Sequence, residues 1–257
     1  MRLFAALVTC LFTNFAAATT VTSDFTDMWW VPTESGWGAN VIQQGDTLFV
    51  TLFVYGQDGK PTWYVSPATT YMGNFGGQQF SGTLYSTTGP YFGGTFNPGS
   101  VVVSTVGSLT FLAPTSTTAT LTYSVGGVNV TKSLQRQTWR TENLAGSYIG
   151  ASVGNFTGCG TAGNGPTEQS ATYTIQQTAS SVTINEFGAG FTCHYVGTLA
   201  QAGKFGTITG TGTCSDGSSQ GFTASEVQAS VDNISMKLTT TVGSCTFTGR
   251  LAGVRRN

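Results

Sequence analysis

Charge is scarce in this chain of 257 residues: ten basic and eleven acidic side chains, 8% of the total, with a formal net charge of −1. No basic run or face is present to attract a polyanion, so no nucleic-acid partner is expected. Histidine occurs once, at His194, and no two cysteines form a C-x-x-C pair. The usual spacing of a zinc site is therefore missing, and neither a metal nor another cofactor is expected. No segment approaches the roughly 20 consecutive apolar residues of a transmembrane helix. After the first residues there is no helical apolar period either, which leaves strands and turns to build the fold.

What is present begins with an export signal. Arg2 precedes an apolar stretch from Leu3 to Phe12, and "FAAATT" supplies small residues at Ala16 and Ala18. This reads as a signal peptide over residues 1–18 with cleavage before Thr19. Its loss would leave nine basic and eleven acidic residues and four cysteines, Cys159, Cys193, Cys214 and Cys245. An even number in an exported chain implies two disulfides. The location expected is secreted or periplasmic.

The dominant period is two. "TATLTYSV" sets Ala119, Leu121, Tyr123 and Val125 against Thr118, Thr120, Thr122 and Ser124, and "VNVTKSLQR" and "NISMKL" alternate likewise. Such alternation predicts half-buried antiparallel strands. Gly45-Asp46, Asp58-Gly59, Gly126-Gly127 and Asp216-Gly217 mark the hairpins between them. "TLFVTLFVY" is apolar on both faces, which predicts a strand covered on both sides.

Composition changes near residue 140. All five tryptophans (Trp29, Trp30, Trp37, Trp63, Trp139) precede it, and the four later cysteines follow it. The first half can fill a core with large rings, whereas the second must use cross-links. The fold expected is all-β: two antiparallel, barrel-like, up-and-down meanders in tandem, over residues 19–141 and 142–257. In such a meander Cys159, just past the first strand of the second domain, meets Cys245 on the last. Cys193 meets Cys214 across one hairpin.

Two resemblances accompany this reading. Gly36-Trp37-Gly38 near the start of the first domain and Arg136 near its end resemble the calycin group of barrels (lipocalins, fatty-acid carriers, avidins). That likeness implies Trp37 plugging one end of the barrel with Arg136 across its face. "WWVPTESGWGANVIQQGDTLF" and "FVYGQDGKPTWYV", Met28 to about Val65, resemble a repeat of secreted bacterial proteins with the patterns W-x-P-x-x-S-G-W-G and Y-x-x-x-G-x-P-x-W-Y. It implies export and a β fold but no activity.

Candidate chemistry is thin. "GSSQG" around Ser219 has the G-x-S-x-G spacing of a nucleophile elbow, but it reads as a hairpin turn without a following helix. Glu34, beside Trp30 and Trp37, is an acceptor for an indole N–H or turn backbone. As a general acid it would need a second carboxylate across a cleft, and Asp24, Asp27, Asp46 and Asp58 fall in loops or turns. Trp29, Trp30, Trp63 and Tyr64 are paired so that one ring of each pair points inward and one outward. Together with Glu34 and a loop carrying Tyr91 and Phe92, they are the candidate ligand-binding residues. The function expected is an exported, non-enzymatic module for a small apolar or sugar-like ligand or a secreted protein partner, without membrane insertion. The alternatives are a carbohydrate-active enzyme using Glu34 and an outer-membrane barrel.

Overall fold

The computed structural model describes residues 21–160 and 163–256; the signal-peptide segment lies outside them. Sixteen strands form two closed antiparallel barrels of eight strands each, in tandem. Hydrogen bonding follows chain order, and in each barrel the last strand closes against the first. Closure leaves no sheet edge, which suits a chain built of threonine-rich alternating strands.

The first barrel comprises β1 (Asp27–Trp30), β2 (Gly38–Gln44), β3 (Thr47–Tyr55), β4 (Pro61–Asn74), β5 (Gln78–Thr88), β6 (Val102–Ala113), β7 (Thr118–Val125) and β8 (Val128–Arg136). Asp27, expected in a loop, begins β1. The interior is packed with rings. Phe25, Trp29, Phe80 and Phe111 are fully buried and meet edge to face at 5.1–6.5 Å between centroids. Each such ring removes 150–250 Å² from water, so a few of them fill a narrow barrel. On β3, Leu48, Val50 and Leu52 point into this core, while Phe49, Phe53 and Tyr55 are exposed at 41%, 46% and 58%. The double covering expected for this strand is not found among the described residues, because its outer face meets solvent.

The second barrel comprises β9 (Gly146–Thr157), β10 (Gly165–Thr178), β11 (Ser181–Gly188), β12 (Phe191–Ala202), β13 (Phe205–Cys214), β14 (Ser219–Ala229), β15 (Asn233–Val242) and β16 (Cys245–Arg256). Cys159 is bonded to Cys245 and Cys193 to Cys214. Cys193 and Cys214 are direct register partners on β12 and β13, so their side chains leave the sheet on one face. Ser219 opens β14 after the turn at Gly217. The G-x-S-x-G spacing is therefore a hairpin, not an elbow.

Each barrel is closed at one end by an arginine over an aromatic ring. Arg136 lies 4.8 Å from the centre of Trp29, its register partner on β1. Arg255 lies 4.9 Å from the centre of Tyr148 and donates to its hydroxyl at 2.7 Å. The expected pairing of Arg136 with Trp37 is thus corrected. Lys132, Leu134 and Arg136 share the inward face of β8, but Lys132 lies roughly 13 Å back along the extended strand. It is Lys132 that stands over Trp37, at 5.6 Å, and Trp37 packs on the core at the opposite end from Arg136.

The two arginine-closed ends face one another. Arg136 is held between Trp29 and Phe205 of the second barrel, 4.5 Å from the latter ring. Gly203, at the tip of the β12–β13 hairpin, has φ +60°, and a Cβ there would lie 2.2 Å from Asp27 Oδ2. Only glycine fits both that backbone and that approach. Residues 21–26 strap the barrels together: Phe25 enters the first core, Ser23 donates to Glu226 at 2.7 Å, and Asp24 pairs with Lys204.

Candidate ligand-binding site

The end of the second barrel that points away from the first is open. A cavity of about 620 Å³ enters it, within the range of small-molecule sites. β9 and β16 leave room because their inward faces alternate rings with small residues: Gly150, Ser152 and Gly154 before Phe156, and Gly249 after Phe247. Phe156 and Phe247 meet at 5.3 Å near the rim, with Phe191, Leu238 and Val242 also in the wall. Both disulfides lie at this mouth, and Cys193, Cys214 and Cys245 line it. Where the interior is not filled, these cross-links hold the rim in place of packing.

Polar groups gather at the base. Glu186 follows Val182 and Ile184 on the inward face of β11 and is 9% exposed. Tyr195 donates from its hydroxyl to Glu186 Oε2 at 3.1 Å, and Gln220 Nε2 donates to that hydroxyl at 3.1 Å. Tyr173 is the register partner of Glu186 on β10. Its hydroxyl is buried without a hydrogen-bond partner, although Glu186 and Ser152 are near enough to influence it. Glu186, Tyr195 and Leu238 also border a deeper void of about 20 Å³ with Tyr173 and Phe222.

Burial raises the Glu186 carboxyl above the ordinary glutamate range, against the opposing pull of the nearby Tyr195 and Tyr173 hydroxyls. Burial, reinforced by the carboxylate, likewise pushes the hydroxyls of Tyr173 and Tyr195 well above the usual tyrosine range. The group therefore offers the neutral Tyr195 phenol and one carboxyl to whatever enters. Among the described residues no cluster has the composition to hold a metal ion.

The residues expected to bind ligand lie in the first barrel, divided between its core, its outer face and a loop, and do not form one site. Trp29 is wholly buried, its indole donating to Phe25 O at 2.9 Å, and Tyr64 packs on the core. Trp29 is not available to a ligand, which corrects its assignment, whereas Tyr64 is half-buried. Trp63 is 48% exposed opposite Phe53, and Trp30, one step beyond the Trp29–Ala39 pair, reaches the same outer row. A shallow exterior groove runs beside Ile42, Phe49 and Pro67. Tyr91 and Phe92 lie exposed in the loop after β5, their rings 4.7 Å apart.

Glu34 accepts from Trp37 Nε1 at 3.0 Å and from Lys132 Nζ at 2.7 and 2.9 Å. Lys132 and then the indole hold its carboxyl below the usual range, opposite to the shift a general acid needs. His194 points outward, 2.7 Å from Asn185 Oδ1.

The cavity residues did leave a signal in the sequence. "VTINEF" places Glu186 in step with Val182 and Ile184, an acid at an inward position of a strand. Alternation also put Cys193 and Tyr195 inward together. The volume between them belongs to eight strands and is not legible in any one.

Fold, cavity and closure together describe a two-barrel protein with one filled barrel and one open calyx. No protein-family model matches the chain, and no curated protein matches it. Similar solved structures include the following two. One is a candidate outer membrane protein from Bacteroides fragilis NCTC 9343, at 11% identity and a TM-score of 0.32, covering 90% of this chain and 95% of that one. The other is a protein of unknown function of the DUF3598 family from Nostoc punctiforme PCC 73102, at 11% identity and a TM-score of 0.30, covering 90% and 93%. The two disulfides are compatible with an extracytoplasmic location.

Proposed function

We propose that the protein is an exported binding module whose second barrel takes one small amphipathic molecule, apolar body at the rim and polar head at Glu186. The observation that carries this reading is the open cavity of about 620 Å³ with aromatic walls and a buried polar base. A few convergent polar groups beneath an apolar wall are what orient a ligand in a concave site. The first barrel, filled with rings, acts as the rigid partner that closes the far end. The likeness of Met28–Val65 to a secreted bacterial repeat and the signal-like start support export.

Titration with the neutral fluorophore N-phenyl-1-naphthylamine tests the site. Its emission should rise on binding, Ser152→Phe should abolish the rise by filling the calyx, and Trp63→Ala should leave it within a few-fold. Loss of binding in Trp63→Ala with retention in Ser152→Phe would move the site to the outer aromatic row and overturn this reading.

A further inference from the structure

We propose that the head group taken by the calyx is a cation, an ammonium carried on an alkyl or arylalkyl body, with Glu186 as its counter-charge. This rests on the calyx reading above. The argument begins from how this protein treats its other buried acids. Asp27 is paired with Arg136 at 3.0 Å, and Glu226 with Lys237 at 2.6 Å and Arg250 at 3.6 Å. Glu186 is buried to a similar degree, yet has no cationic partner among the described residues. A buried carboxylate is costly unless a positive charge reaches it, and the open cavity reaches Glu186.

The cavity is electrostatically one-sided. Two acids, Glu186 at its base and Asp216 at its rim, line it, and no lysine, arginine or histidine does. Hydrogen bonds from Ser218 keep the Asp216 carboxyl below its usual range, so the rim is negative at neutral pH. A carboxylate-headed ligand would meet like charge twice, whereas an ammonium is drawn inward.

The base also matches an ammonium in donors and acceptors. An –NH₃⁺ group has donors only. Glu186, which lines the cavity, accepts, with Tyr195 already donating to one of its two oxygens, and Tyr173 lies directly across from it on β10. Tyr195 and Phe222, edge to face at 5.3 Å, add aromatic surface around the same point, and a cation over such rings is further stabilised. The titratable groups facing Glu186 are Tyr173 from β10, Tyr195 from β12 and Asp216 from the rim. β9, β14, β15 and β16 present Ser152, Gln220, Met236, Leu238 and Leu251.

Calorimetric titration of the full protein with four probes of one chain length tests this: octylammonium, octyltrimethylammonium, octanol and octanoate, each below its micellar concentration at pH 7. Octylammonium should bind at least tenfold more tightly than octanol, and octanoate most weakly. Glu186→Gln, with its fold checked by circular dichroism, should erase the amine preference, lowering octylammonium affinity at least tenfold more than octanol affinity. Amine affinity should also fall as pH drops and Glu186 takes up a proton. Equal binding of amine and octanol in the unaltered protein, or an undiminished amine preference in Glu186→Gln, would overturn the cation assignment and leave the calyx standing. Failure of all four probes would overturn both.

Discussion

Arg255 stands to Tyr148 in the second barrel as Arg136 stands to Trp29 in the first. In each case 107 residues separate ring from arginine. Each ring donates a hydrogen bond to the carbonyl four residues earlier, Trp29 to Phe25 and Tyr148 to Leu144, both at 2.9 Å. The guanidinium then satisfies further carbonyls at the barrel end, Arg136 at Thr26 and Ser116 and Arg255 at Ala145. The same closing device is used twice at the same spacing. It stops one end of each barrel, and Arg136 also reaches Phe205 of the second barrel across the junction.

Arg136→Ala should therefore be the more damaging of the two truncations. It removes a buried charge that neutralises Asp27 and leaves that carboxylate uncompensated, a loss of about 3–5 kcal/mol. Lysine should restore only part of this, since it lacks the planar fork. Urea unfolding of Arg136→Ala, Arg136→Lys and Arg255→Ala checks the order. An Arg136→Ala protein as stable as Arg136→Lys would contradict it.

Removal of the Cys193–Cys214 bond by paired serine substitutions should cost about 2–5 kcal/mol, felt first in the second barrel. Four of the five tryptophans, Trp29, Trp30, Trp37 and Trp63, lie in the first barrel and Trp139 is exposed after β8, so tryptophan fluorescence reports mainly on the first barrel. The midpoint followed by far-ultraviolet circular dichroism should fall further than the fluorescence midpoint. Equal falls would show that the barrels unfold as one unit.

Glu186→Gln should stabilise the protein at pH 7. Burial raises the carboxyl pKa in the folded barrel. Between the unfolded value, about 4.3, and that higher folded value, the native state holds more protons than the unfolded chain. Stability then falls as pH rises through this window. The glutamine variant should lack that slope and should lose its advantage below the window. Thermal midpoints at pH 4 and pH 7 decide it, and parallel curves for the two proteins would count against a strained carboxyl.

Glu34→Gln should leave the affinity for any calyx probe within a few-fold, and any turnover likewise. The amide keeps one acceptor oxygen for Trp37 Nε1 and gives up the charge facing Lys132, at the far end of the other barrel. A hundredfold loss of turnover on a glycoside would instead identify general acid catalysis at Glu34.

Strand identity, the two-barrel division and the disulfide partners were legible in the chain alone, because each follows from short-range facts. Alternation of Leu121 and Tyr123 with threonine fixes which face is inward, and meander order fixes which cysteines meet. The ring beneath Arg136 was not legible. Trp29 and Trp37 both carry plausible inward parity, and only the closing register of β8 on β1 selects between them. Nor was the site. Tryptophan drew attention to the first barrel, yet those rings fill it, while glycine and serine on β9 and β16 leave the second one open. A cavity is what remains after the eight inward faces of one barrel are summed around its axis. A local pattern such as "VTINEF" can place one acid on the wall, but whether space lies in front of it is decided by side chains far away in the chain.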